Sequence, residues 1–96
     1  MSPDKFKKLT KLRKNLDNLD NSLLKIIKKR TNLVNQVLAL KEFKYQIIDN
    51  KRINKILIQI KKKSINNKID PKITRRIWIN MIRAYIDYER RNFKKK

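Results

Sequence analysis

From residue 2 to about 43 the apolar side chains return every three or four positions. They are Phe6, Leu9, Leu12, Leu16, Leu19, Leu23, Ile27, Val34, Val37 and Leu38. That rhythm predicts one long helix. Ser2 can cap it, Pro3 fits its first turn, and Asp4 suits the positive end of its dipole. About forty residues make ~60 Å of helix, far beyond the width of a globule of this chain length. A stripe that long can be buried only against another long element. Leu9, Leu16 and Leu23 recur at seven, the spacing of a seam against a second helix. A second copy of the chain is the economical partner, so a homodimer is expected.

The remaining sequence predicts two shorter helices. The segment KYQIIDN breaks the rhythm and reads as a loop. Asp49 or Asn50 caps a second helix with Ile53, Ile56, Leu57 and Ile60 on one face, and Lys61 to Lys63 with Asn66-Asn67 end it. The run ILIQI would also suit a strand, but no partner strand is visible elsewhere. Asp70-Pro71 opens the third helix, a cap followed by proline at the first helical position. Its stripe is expected at Ile73, Ile77, Met81 (or Trp78), Ile82, Tyr85, Ile86, Glu89 and Phe93. The tail RRNFKKK is expected to fray. With no internal repeat and no linker, residues 1–96 read as one all-α domain of three helices, one of them very long.

Cysteine and histidine are both absent. That excludes disulfides, thiolate nucleophiles, imidazole bases and the common zinc sites. No apolar run approaches the ~20 residues of a membrane span. The N-terminus MSPDKFKK has charge but no apolar core of a signal peptide, so the expected location is cytoplasmic, with no membrane partner. The net charge of +20 invites a nucleic-acid reading. However, Lys, Asn and Ile make up 46 of 96 residues, and AT-rich codons encode all three. Codon bias accounts for the lysines as well as phosphate binding does. The aromatics Phe6, Phe43, Tyr45, Trp78, Tyr85, Tyr88 and Phe93 are not interleaved with the lysine runs as stacking platforms would be. A basic helical nucleic-acid module is therefore the remote alternative, and no specific nucleic acid is expected.

The chemistry-bearing residues are cations set among apolar ones. Arg30 and Lys41 stand eleven residues apart, close to three turns, with Val34 and Val37 between them. Arg13 lies seventeen residues before Arg30, ~25 Å along the same helix. One small ligand cannot touch both arginines of one chain, but Arg13 of a second copy could meet Arg30 of the first. Arg52, at the head of the second helix, adds another cation. Charges in an apolar stripe need a partner, and the chain's few carboxylates point to a small external dianion. Glu89 is the other anomaly. It follows Ile82, Tyr85 and Ile86 at seven, four and three residues, so it belongs to the apolar face. It is either an ion pair with Arg90, Arg91 or a neighbouring lysine, or a pocket carboxyl kept protonated so that it can donate a hydrogen bond.

The string LRKNLDNLDNSLLKIIKKRTNLVNQVLALK resembles the first helix of the all-α chorismate mutases. DNKR at the head of the second helix and IDPKITRRIWINMIRAYIDYERRNF in the last are similar to that family too. The resemblance covers residues 9 to 93. It implies an intertwined helical homodimer that rearranges chorismate to prephenate without cofactor or covalent catalysis. By position it implies that Arg13 of the partner chain and Arg30 hold carboxylates, and that Lys41 bonds a carboxylate and the ether oxygen. Arg52 supports the electrostatics and Asp49 lines the site. Glu89 falls where the family places a Gln or Glu that hydrogen-bonds the ether oxygen, and as Glu it must be protonated to donate. Three features depart from the common pattern. Ile53 stands where a glutamate often binds the substrate hydroxyl, the loop between Lys41 and Arg52 is short, and Tyr85 replaces a small polar residue. These resemble the related isochorismate-pyruvate lyases and amino-deoxychorismate mutases, so isochorismate is the alternative ligand.

Overall fold

The computed structural model describes residues 1–94. It is all-helical: α1 (Pro3–Leu40), a single 3-10 turn (Lys44–Ile47), α2 (Asn50–Asn66) and α3 (Pro71–Asn92). The described residues divide into two units, Met1–Leu33 and a second that opens at Val34. Among the described residues no helix is long and apolar enough to cross a membrane.

The first unit is helix alone. Ser2 Oγ accepts from the Lys5 amide at 3.3 Å, and Asp4 lies in the first turn, as the cap pattern predicts. The hydroxyls of Thr10, Ser22 and Thr31 bond back to carbonyls four residues earlier, so they do not compete with the helix. The leucine stripe is exposed: Leu12, Leu16, Leu19 and Leu23 each keep more than half their surface open, Leu23 least at 53%.

The expected helix end near residue 43 is corrected to Leu40. Gln46 is the physical reason. Its side-chain Oε1 accepts from the amides of both Glu42 (2.8 Å) and Phe43 (2.9 Å), drawing these donors away from a helical ladder. The predicted loop therefore contains a hydrogen-bonded 3-10 turn. That turn buries Ile47 to 4% exposure.

Helix α2 begins at the cap Asp49, whose Oδ1 accepts from the Arg52 amide at 3.0 Å. Ile53, Ile56, Leu57 and Ile60 form its half-buried face, as predicted. It ends in a Schellman motif. The Ile69 amide bonds the Ser64 carbonyl at 2.8 Å, and the Lys68 amide bonds Ile65 at 3.1 Å. Lys68 holds the left-handed position, φ 57°, that glycine would take.

Helix α3 starts at the predicted Asp70 cap with Pro71 in its first turn. It packs against α2. Its predicted stripe needs one correction: Ile73 and Ile77 are 56% and 52% exposed, while Thr74 is buried. The Thr74 hydroxyl meets that of Ser64 at 2.7 Å, and this pair sets which face of α3 turns to α2. The helix also runs through Arg90, Arg91 and Asn92, which the tail reading had assigned to frayed chain. Phe93 caps it and Lys94 is exposed; Lys95 and Lys96 of that reading lie outside the described residues.

Candidate active site

Three of the five buried residues among those described are polar: Ser64, Thr74 and Glu89. The two hydroxyls meet each other, and Ser64 also bonds the Ile60 carbonyl at 2.6 Å and Thr74 the Pro71 carbonyl at 3.3 Å. Glu89 is satisfied by a residue 48 positions earlier: Lys41 Nζ donates to Glu89 Oε1 at 2.9 Å. Both side chains are largely withdrawn from water, at 19% and 9% exposure. A buried pair of this kind persists only when both charges are well placed, because removing one leaves the other desolvated.

Each partner is held by its own element. Lys41 is the first residue after α1, where its amide closes on the Leu38 carbonyl at 3.1 Å and Leu38 is buried. Lys41 therefore does not share a helix face with Arg30, as the eleven-residue spacing predicts, because α1 ends at Leu40. Glu89 lies in the last full turn of α3. One residue earlier, the Tyr88 hydroxyl donates to Asn35 Oδ1 at 2.9 Å. Two side-chain bonds thus join the end of α1 and the residue that follows it to the end of α3. Tyr85 is half-buried one turn before Glu89, its ring edge-on to Tyr88 with centroids 6.3 Å apart. The ion-pair reading of Glu89 is met by a lysine, Lys41, and not by the adjacent arginines: Arg91 pairs with Asp87 at 2.9 Å, and Arg90 is exposed.

The other candidates differ in setting. Asp49 and Arg52 are exposed at the head of α2, where the Asp49 carboxylate caps the helix by accepting from the Arg52 backbone. Arg13 and Arg30 belong to the first unit. Arg13 is exposed and Arg30 is half-buried. Sequence reasoning missed the Asn35–Tyr88 bond and the burial of Ile47. Asn35 sits between Val34 and Val37 on the apolar stripe, which was the available hint for the first.

A family model described as chorismate mutase type II matches residues 12–90. The chain belongs to that family. The match spans most of the chain and includes all seven candidates: Arg13, Arg30, Lys41, Asp49, Arg52, Tyr85 and Glu89. No curated protein and no solved structure matches the chain. For a type II chorismate mutase, a lysine and a glutamate buried against each other are unlike a solvated surface pair. Their attraction is screened less than that of a pair in water.

Proposed function

We propose that this protein is a chorismate mutase that converts chorismate to prephenate within one enclosed site per subunit of a homodimer. The observation that carries the reading is the buried Lys41–Glu89 contact at 2.9 Å, made by two residues that the family resemblance had assigned to the same ligand atom. The rearrangement breaks one C–O bond and forms one C–C bond inside a single molecule. It needs no nucleophile, metal or redox group. It needs a rigid, positive cavity that holds two carboxylates and stabilises charge on the departing ether oxygen.

In this reading Lys41 donates to a substrate carboxylate and to the ether oxygen, and Glu89 in its protonated form donates to the same oxygen. Arg30, with Arg13 of a second copy, holds carboxylates. Arg52 raises the local potential, while Asp49 and Tyr85 line the site. The exposed leucine stripe supports the dimer, because it is an apolar seam in search of a second helix. Within such a dimer the whole chain acts as one domain.

Ile53 supports a second reading, an isochorismate-pyruvate lyase or a mutase of another chorismate derivative. It is half-buried on the packed side of α2, next to Arg52, and offers no acceptor for a substrate hydroxyl. Separate incubations with chorismate and isochorismate decide between the two. Prephenate from chorismate is the expected product. Salicylate plus pyruvate from isochorismate, with chorismate untouched, overturns the first reading in favour of the second.

A further inference from the structure

We infer that Tyr88 and Asn35 are positioning residues, whose hydrogen bond fixes where the Lys41 ammonium stands. The role rests on the function proposed above and adds to it two residues that act through Lys41. Lys41 follows α1 and is not helical. Its ammonium rides on a flexible stem, so its place depends on how the backbone beneath it is held. The backbone is held to α3 on both sides. After Lys41, the 3-10 turn packs on α3, and Ile47 within that turn is buried. Before Lys41, the Tyr88 hydroxyl donates to Asn35 Oδ1 at 2.9 Å.

Asn35 stands six residues before Lys41, and Tyr88 is next to Glu89. All four lie in the unit that opens at Val34. The Tyr88–Asn35 and Lys41–Glu89 bonds therefore join the same two stretches of chain. One bond between two stretches leaves them free to turn about it, and a second bond removes that freedom. Leu38, between Asn35 and Lys41, is buried and adds attraction, but apolar burial is not directional. The Tyr88 ring is also edge-on to Tyr85, with centroids 6.3 Å apart, so two contacts set where its hydroxyl points. An exposed hydrogen bond matters little to stability. It matters more to a site, because a group displaced by ~1 Å loses much of its effect on the reacting atoms.

The test is steady-state kinetics of the full chain with chorismate. Tyr88→Phe keeps the ring and loses the hydroxyl. It is expected to lower kcat by ~10-fold, with a smaller change in KM. Asn35→Ala is expected to match it, and the double variant to lose no more than either single, because one bond is at stake. Asn35→Asp keeps an acceptor and is expected to retain most of the activity. Asp87→Ala is the control. It removes another exposed side-chain bond of 2.9 Å, to Arg91, at the same end of α3, and kcat should not move. A second readout needs no substrate. A buried, paired ammonium exchanges with water more slowly than an exposed one. In spectra of isotope-labelled lysine, Lys41 should therefore give a protected signal that is missing from Lys41→Ala. The signal is expected to persist in Asp87→Ala and to be lost in Tyr88→Phe. An unchanged kcat in Tyr88→Phe, additive losses in the double variant, or a Lys41 signal that survives Tyr88→Phe overturns the inference and leaves the proposed function standing. A wild type without the signal overturns it too, since no ammonium is then held. A wild type that does not turn over chorismate overturns the proposed function, and the Lys41 signal then decides the positioning role by itself.

Discussion

Residues 1–33 and the described residues that follow differ in what they bury: both leave apolar side chains open, but only the second buries paired polar groups. In the first, Leu12, Leu16, Leu19 and Leu23 lie open to water. In the second, a carboxylate, an ammonium and two hydroxyls are withdrawn from it, each with a partner within the same unit. The hydrophobic effect disfavours the first arrangement and desolvation disfavours the second. The second is stable because its polar groups are satisfied. In the dimer proposed above, another copy covers the first.

The contrast breaks most sharply if the stripe is made polar. Leu16→Lys with Leu23→Lys keeps helix propensity, since lysine is a good helix former. In a dimer each change counts twice. Four apolar side chains at roughly 1.5–3 kcal/mol each remove about 6–12 kcal/mol of association. Light scattering at micromolar concentration should fall from twice the 11.7 kDa chain mass to the chain mass, with activity lost. An unchanged mass and full activity would show that the stripe is an ordinary solvated face.

The next effect lies in the site. Lys41→Ala and Arg30→Ala should each lower kcat/KM by ~100-fold or more, roughly 3 kcal/mol of transition-state stabilisation, with helicity retained. Lys61→Ala is the control. It is an exposed cation of α2, and its loss should be nearly silent. Mild, equal effects of all three would reduce the cations to a diffuse field.

Much of this was legible in the sequence because it is local. The caps Asp49 and Asp70, the proline start of α3 and the apolar face of α2 all follow from residues a few positions apart. What escaped depends on distant partners. The end of α1 is set by the side chain of Gln46, six residues beyond Leu40. The face of α3 is set by Ser64 meeting Thr74, and hydroxyls carry no weight in a hydrophobic rhythm, which therefore selected Ile73 and Ile77. Spacing marked Glu89 as misplaced on an apolar face. It could not name Lys41 as its partner, because that contact exists only after the helices pack.

The hydroxyl pair sharpens the comparison at smaller scale. Ser64→Ala removes the 2.7 Å partner of the buried Thr74 hydroxyl, which keeps only the longer bond to the Pro71 carbonyl at 3.3 Å, and should cost ~1 kcal/mol in denaturant unfolding. Adding Thr74→Val should recover part of that, because both polar atoms are then gone. A double mutant that is as unstable as the sum of the singles would mean that the two hydroxyls do not depend on each other.

The smallest effect is a gain, and it isolates the backbone. Lys68 takes the left-handed position after α2 at φ 57°, where a Cβ crowds the following carbonyl. The chain contains no glycine, so even its Schellman turn is built from a residue that is disfavoured there. Lys68→Gly relieves the crowding while leaving the Ile69–Ser64 and Lys68–Ile65 backbone bonds in place. Glycine also gives the unfolded chain more freedom, which opposes the gain. The relief exceeds that loss at a left-handed site, so a net stabilisation of up to ~1 kcal/mol is expected. Urea midpoints of the two forms, measured at one protein concentration so that dimerisation does not enter, read this difference directly. Because Lys68 is exposed, kcat/KM should not move. A destabilised Lys68→Gly protein would mean that the lysine side chain supports the turn in a way its exposure does not suggest.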